Sequence, residues 1–284
     1  MLSGAFAALM QVPFTKVESI GNDFIVLEEG TLPEEQYPAF ALEACRRRFS
    51  VGADGLLVLG RQGPDLGLRM FNPDGTEDFC GNGLRCATWY ARNKGWIEAG
   101  VTLYHRGKAV LASVGQDGLI ETEIGFASFL PEDVPHTAGH ELFLSSLEVA
   151  GYDLEVSAIS TGSTHLVIFA EKLPSDDEVF SLGPILEHHH FFPERTSIIW
   201  ATVVAADRLK IRIWERGAGE TLGCGTGSSA AAAAYFRKKE EGGTIEVENR
   251  GGSVKVRMDS WYAPIHVSGR AELLYEGVMP FPVQ

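Results

Sequence analysis

Equal spacings at four landmarks divide this chain into two copies of one plan. Cys80-Gly81-Asn82-Gly83 recurs as Cys224-Gly225-Thr226-Gly227. From Cys80 to Val101 is 21 positions, as it is from Cys224 to Ile245, and both copies run on to Arg-Gly at Arg106-Gly107 and Arg250-Gly251. Cys80 to Gly107 and Cys224 to Gly251 are both 27; Gly107 to Gly125 and Gly251 to Gly269 are both 18. Upstream, Gly21-Asn22-Asp23-Phe24 aligns with Gly162-Ser163-Thr164-His165. This implies a duplicated unit of about 140 residues rather than a short-period solenoid. The chain is thereby confined to folds that build one domain twice.

Each copy reads as strands around one long helix. Residues 14–27 pattern as strand, turn and strand with the bend at Gly21-Asn22; 34–49 as a helix with a basic end at Arg46-Arg47-Arg48. Residues 55–60 and 68–72 read as strands, and 83–94 as a helix that starts in the first Cys-Gly-x-Gly. In the second copy 156–170 and 197–214 are strand-rich. Residues 226–239 form a helix with alanine along one side, and 244–274 return to strands and turns. The stretch 130–142, with Pro131 and Pro135, reads as the link between domains. The fold class expected is mixed α/β (α+β): two pseudo-symmetric duplicated domains, each a β-rich sheet or barrel wrapped around a central helix, with the site in the cleft between them. Residues 1–126 plus 266–284 form the first domain and 127–265 the second, because the chain end returns to close the first.

Composition excludes several classes. At 284 residues the chain can bury two cores. A formal net charge of −14 argues against nucleic acid or an anionic membrane as partner, and no apolar run approaches a membrane span. Residues 1–9 read as a disordered extension or a misplaced start; no positive charge precedes Lys16, so no signal peptide is expected. Four cysteines form no disulfide framework, which fits a reducing, cytoplasmic setting. Cys45 and Cys86 read as buried core thiols. His188-His189-His190 reads as a solvated loop or helix end, and no metal site is expected, since adjacent imidazoles cannot all face one ion.

A thiol placed before Gly-x-Gly at a helix start meets exposed backbone N–H groups and the positive end of the helix dipole. These bind anions and favour thiolate. Two such ends suit a carboxylate clamped from both sides, with one sulfur taking an α-proton and the other delivering a proton to the opposite face. The residues alone leave two other readings open: tight turns beside small buried thiols, or a reversible disulfide.

The segments Ile20-Gly21-Asn22-Asp23-Phe24, Phe71-Asn72-Pro73-Asp74-Gly75-Thr76-Glu77, Phe192-Pro193-Glu194-Arg195 and Glu215-Arg216-Gly217-Ala218-Gly219-Glu220-Thr221, with the two Cys-Gly-x-Gly motifs, resemble diaminopimelate epimerases. These are amino-acid racemases that use two cysteines and no cofactor. The resemblance spans residue 14 to about 277. It implies interconversion of LL- and meso-diaminopimelate, a small-molecule amino-acid substrate, and a homodimer. Carried over by motif position, Cys80 and Cys224 are the acid/base pair, with His165 and Glu215 beside them. Gly81, Asn82, Gly225 and Thr226 hold the reacting carboxylate, Asn22 and Asn72 contact substrate, and Arg216 grips the distal carboxylate. Ser163 and Ser197 stand where the family usually has asparagine, Thr164 replaces its proline, and Asn72 to Cys80 is one residue short. The same mechanism on a different amino acid, or a silent amino-acid-binding protein, are the alternatives these departures leave.

Overall fold

The computed structural model describes residues 9–282. The extension expected at residues 1–9 lies outside them, apart from Leu9, which opens the first strand. Two compact units emerge, each described on its own. Among the described residues the first comprises 9–19, 23–116 and 271–282; the second comprises 20–22 and 117–270.

The first unit holds β1 (Leu9–Ser19), β2 (Asn22–Glu28), α1 (Tyr37–Ala44), β3 (Gly55–Gln62), β4 (Asp65–Phe71), α2 (Gly81–Asn93), β5 (Gly100–His105), β6 (Lys108–Val114) and the last strand. The second holds β7 (Ile120–Glu123), β8 (Ser145–Val149), β9 (Tyr152–Ser160), β10 (Thr164–Phe169), α3 (Asp176–Glu187), β11 (Ser197–Ala205), β12 (Arg208–Glu215), β13 (Gly219–Thr221), α4 (Gly225–Lys239), β14 (Gly243–Asn249), β15 (Gly252–Met258) and β16 (His266–Gly269). The last strand, β17 (Glu272–Pro282), runs antiparallel to β1, so the chain end does return to the first unit.

The duplication is visible in hydrogen-bond register. In the first unit β2 pairs parallel with β3 (Phe24 opposite Gly55), β3 antiparallel with β4 (Leu56–Phe71), β4 parallel with β5 (Leu66–Leu103) and β5 antiparallel with β6 (Leu103–Val110). The second unit repeats that series through β10, β11, β12, β14 and β15, with His165–Ser197, Ile198–Trp214, Leu209–Val247 and Val247–Val254 as the same pairs. A one-residue slip would turn every side chain to the other face, so register agreement over four ladders is stringent. The architecture is mixed α/β and duplicated.

The central helices differ in dress. In α4, Ala230 to Ala234 are all fully buried. The helix is therefore enclosed all round, not apolar on one side only as the alanine pattern suggested. It shares a core with Ile199, Leu209, Ile211, Val247, Val254 and Val256 of the surrounding strands. In α2, Leu84, Cys86, Ala87 and Ala91 are buried, with Arg85 among them. The core positions read for Cys45 and Cys86 hold; burial pushes the Cys45 thiol up to about 12 and raises that of Cys86 well above its ordinary value.

Other expectations are corrected. Helix α1 stops at Ala44; Arg46 to Arg48 lie beyond it, where Arg47 pairs with Asp23 and Asp54. Residues 130–142 are no linker, because Val134 and Leu142 enter the core of the second unit beside Leu166, Ile198 and Trp200. The units change over at Gln116/Asp117 and Arg270/Ala271, not at 126 and 265, because β7 pairs with β16. Helix α3, which no sequence pattern announced, starts in a full capping box of Ser175 and Glu178. It ends at His188, so the three histidines follow a helix end. No helix among the described residues is long and apolar enough to cross a membrane.

Candidate active site

Both motif cysteines are helix N-caps. Cys80 has φ −138° and ψ 114°, and its sulfur accepts from the Gly83 N–H at 3.4 Å. Cys224 has φ −137° and ψ 119°, and its sulfur accepts from the Gly227 N–H at 3.4 Å. The first N–H groups of a helix have no partner within it and carry the positive end of its dipole. Each sulfur therefore lies where negative charge meets backbone donors. The second motif glycine is closely packed: a Cβ at Gly83 would come within 3.0 Å of Leu57, and one at Gly227 within 2.7 Å of Ile199.

In the first unit Asn82 is 3 % exposed and accepts from Arg85, one turn further along α2. Arg85 is wholly buried, and its Nε donates to Ser19 Oγ at 3.1 Å. Asn72 sits at the end of β4 in a tight turn. Its N–H donates to Thr76 O at 2.8 Å and its side chain to Thr76 Oγ1 at 3.1 Å. Asp23 accepts from Arg47 at 2.5 Å and pairs with the buried Lys16 at 2.7 Å. Burial alone would raise its carboxyl, yet these two cations hold it below the usual carboxylate range.

The remaining expected residues fall in the second unit. Residues Ile20–Asn22 belong to it, seated against Leu222, Gly223 and Gly251, so Asn22 groups with the segment that leads into Cys224. From the sulfur of Cys224 a ladder of hydroxyls runs inward. Thr226 Oγ1 is 3.3 Å from Sγ, Ser163 Oγ donates to Thr226 Oγ1 at 3.4 Å, and Ser163 Oγ is 3.4 Å from His165 Nε2. Thr161 Oγ1 is 3.5 Å from His165 Nδ1 and donates to Thr226 O at 2.9 Å. Ser197, opposite His165 in the parallel ladder, accepts the Arg216 N–H at 3.1 Å. Arg216 donates to Glu194 O at 3.2 Å, and Glu215 accepts from Thr221 Oγ1 at 2.5 Å. Both hydroxyls that replace the family's asparagines thus bond within the protein.

Burial lowers His165 to about 4, leaving the imidazole neutral at physiological pH. A histidine kept neutral in the fold but titrating near 6.5 when unfolded takes up its proton only in the unfolded chain between those values. Stability is then full above about 6.5 and falls as pH drops toward 4. The whole shift corresponds to about 3 kcal/mol. Urea unfolding at pH 7.5 and 5.0 is expected to show about 2 kcal/mol of that loss in the wild type and less of it in His165→Gln. Equal pH slopes in the two proteins would overturn the assignment.

Sequence reasoning missed one organiser. Glu187, 4 % exposed at the end of α3, accepts from Trp214 Nε1 at 2.8 Å, Gly217 N at 2.9 Å and Arg195 at 3.2 Å. It ties the turn that carries Arg216 to the Phe-Pro-Glu-Arg segment. Only its position just ahead of that segment could have drawn attention to it.

Comparison with known proteins decides the family. The chain is 34% identical over 278 residues to a diaminopimelate epimerase of Synechococcus sp. (strain JA-2-3B'a(2-13)), covering 94% of this chain and 98% of that protein. The chain belongs to the diaminopimelate epimerase family. A diaminopimelate epimerase of Pelotomaculum thermopropionicum is 35% identical over 286 residues, covering 94% and 99%. The diaminopimelate epimerase family model matches residues 157–271. In fold the chain is similar to a Bacillus anthracis phenazine biosynthesis protein of the PhzF family, with a TM-score of 0.68 at 20% identity over 95% of this chain and 99% of that one. It is similar also to a hydroxyproline epimerase from Agrobacterium vitis, with a TM-score of 0.70 at 12% identity over 96% and 93%. Membership makes the chain an isomerase of the epimerase type.

Proposed function

We propose that this epimerase interconverts LL- and meso-diaminopimelate by two-base proton transfer, with Cys80 and Cys224 as the acid/base groups and no cofactor. The observation that carries the reading is the pair of cap cysteines with matching backbone angles and matching sulfur contacts. One thiolate removes the α-proton while the other thiol delivers a proton to the opposite face. The C–H bond breaks as an S–H bond forms, and the second S–H bond breaks as the new C–H bond forms. Charge developing on the substrate carboxylate is received by the N–H groups of Gly81, Asn82, Gly225 and Thr226, an oxyanion-hole role. His165, joined to Cys224 through Thr226 and Ser163, and Glu215 assist proton movement. Arg216, steadied by Ser197, grips the distal carboxylate in the bidentate manner suited to a guanidinium; Asn22 and Asn72 contact the rest of the substrate. The same reading makes the enzyme a cytoplasmic homodimer, which light scattering on the purified chain would check.

One observation favours a different amino acid as substrate. The Ser163 and Ser197 hydroxyls are both engaged inside the protein, so recognition at those positions differs from that by an amide. Hydroxyls are shorter and hold one donor rather than two. Deuterium entry at the α-carbon in D₂O, followed by NMR under reducing conditions across a panel of L-amino acids, tests both readings. Exchange with inversion in LL-diaminopimelate is expected. Exchange confined to another amino acid moves the substrate and keeps the mechanism, and exchange into none points to a silent binding protein.

A further inference from the structure

Behind each cap cysteine stands a side chain that no motif contains. His105, at the end of β5, is fully buried, and its Nε2 accepts the Cys80 backbone N–H at 3.4 Å. Its Nδ1 lies 2.9 Å from Leu68 O. A ring nitrogen facing a carbonyl must carry the proton and one facing an N–H must offer its lone pair, so the two contacts together require the neutral Nδ1–H tautomer. Burial favours that neutral form. The ring is held flat against Phe79, with centroids 5.0 Å apart and planes 22° from parallel.

The second unit places Asn249 at the equivalent end of β14. Asn249 Oδ1 accepts the Cys224 backbone N–H at 3.4 Å, and Nδ2 donates to Val247 O and to Ser228 Oγ, each at 3.1 Å. Each side chain accepts from the cap N–H with one atom and donates to a strand carbonyl with another. The two halves reach this pattern with different chemistry, an imidazole and an amide, so the pattern is not a by-product of packing one particular ring.

We infer that His105 and Asn249 are positioning residues, one per thiol, which pin the backbone of each cap cysteine so that its sulfur stays on the N–H groups of the helix start. An N-cap residue adopts its extended conformation outside the helix. Fixing its own N–H from behind removes the freedom by which the cap could swing its sulfur off the helix. The inference rests on the reading of Cys80 and Cys224 as acid/base groups for its catalytic meaning, but not for its structural content.

The test is iodoacetamide alkylation of the reduced, substrate-free enzyme, with each cysteine peptide followed separately by mass spectrometry. His105→Ala is expected to change the Cys80 alkylation rate at least fivefold while Cys224 stays within twofold of wild type. Asn249→Ala should give the mirrored result, and it serves as the test should His105→Ala fail to fold. His105→Gln, which returns an acceptor near the Nε2 position, should bring Cys80 back to within twofold. Unchanged rates, or equal changes at both thiols, would overturn the inference. Because alkylation needs no turnover, failure of the wild type to epimerise diaminopimelate would count against the function alone.

Discussion

Replacing Cys80 or Cys224 by serine is expected to leave both helix starts intact while lowering interconversion of diaminopimelate by about 10³-fold or more. The exchange separates two jobs that alanine would remove together. Each sulfur caps a helix by accepting from the N–H three residues on. Serine is among the best residues for that purpose, whereas loss of a cap typically costs about 1 kcal/mol. A hydroxyl cannot stand in for the thiol as a base, because its proton is held far more tightly. Thermal unfolding should therefore move little in either serine variant while turnover collapses. Cys80→Ala and Cys224→Ala should lose the same activity and some helix stability besides. Full interconversion by any single variant would end the two-base mechanism. Full activity in serine but not alanine variants would show that the cysteines matter as caps only.

How far this could be read from residues follows from how local each feature is. The duplication, the two helix starts and the strand series repeat at fixed spacings, and the register pairs Leu103–Val110 and Val247–Val254 realise those spacings directly. The return of the chain end to β1 followed from the same count. What escaped depends on contacts distant in sequence. The end of α1 is decided by Arg47 reaching Asp23, 24 residues away. The apparent linker at 130–142 is decided by Val134 and Leu142 finding apolar neighbours on β10 and β11. Glu187, His105 and Asn249 are single polar residues, and all their side-chain partners but Val247, bonded by Asn249, lie 8 to 37 positions off. His105 and Asn249 stand at matched spacing from the two cysteines, but an imidazole and an amide share no residue type that would mark the match. Ser163 and Ser197 were legible as departures, but not their engagement with Thr226 and with the Arg216 N–H.

Gly251→Ala is expected to destabilise the second unit by about 3 kcal/mol. A Cβ at Gly251 would lie 2.1 Å from Ile20 O, 2.8 Å from Ile20 C and 3.0 Å from Leu222 Cβ. The two closest atoms are backbone, which cannot rotate aside. Gly251 N also donates to Leu222 O at 2.7 Å, so the β14–β15 turn cannot retreat without losing that bond. The turn it supports is itself strained. Ile20 and Gly21 join β1 to β2 with φ of +50° and +79°, as a two-residue hairpin turn requires. A β-branched residue in the left-handed region persists only where its surroundings hold it. Gly223 packs on the same residue, and a Cβ there would be 2.7 Å from Ile20 O. Disturbing Gly251 therefore dislodges Asn22 from the segment that leads into Cys224, and KM for the amino-acid substrate should rise alongside the fall in stability. Gly100→Ala is the control, since its nearest neighbour would be Ala112 O at an ordinary 3.7 Å. Urea unfolding that shows no more loss for Gly251→Ala than for Gly100→Ala would mean that the turn accommodates the methyl. The seating of Asn22 would then not depend on this glycine.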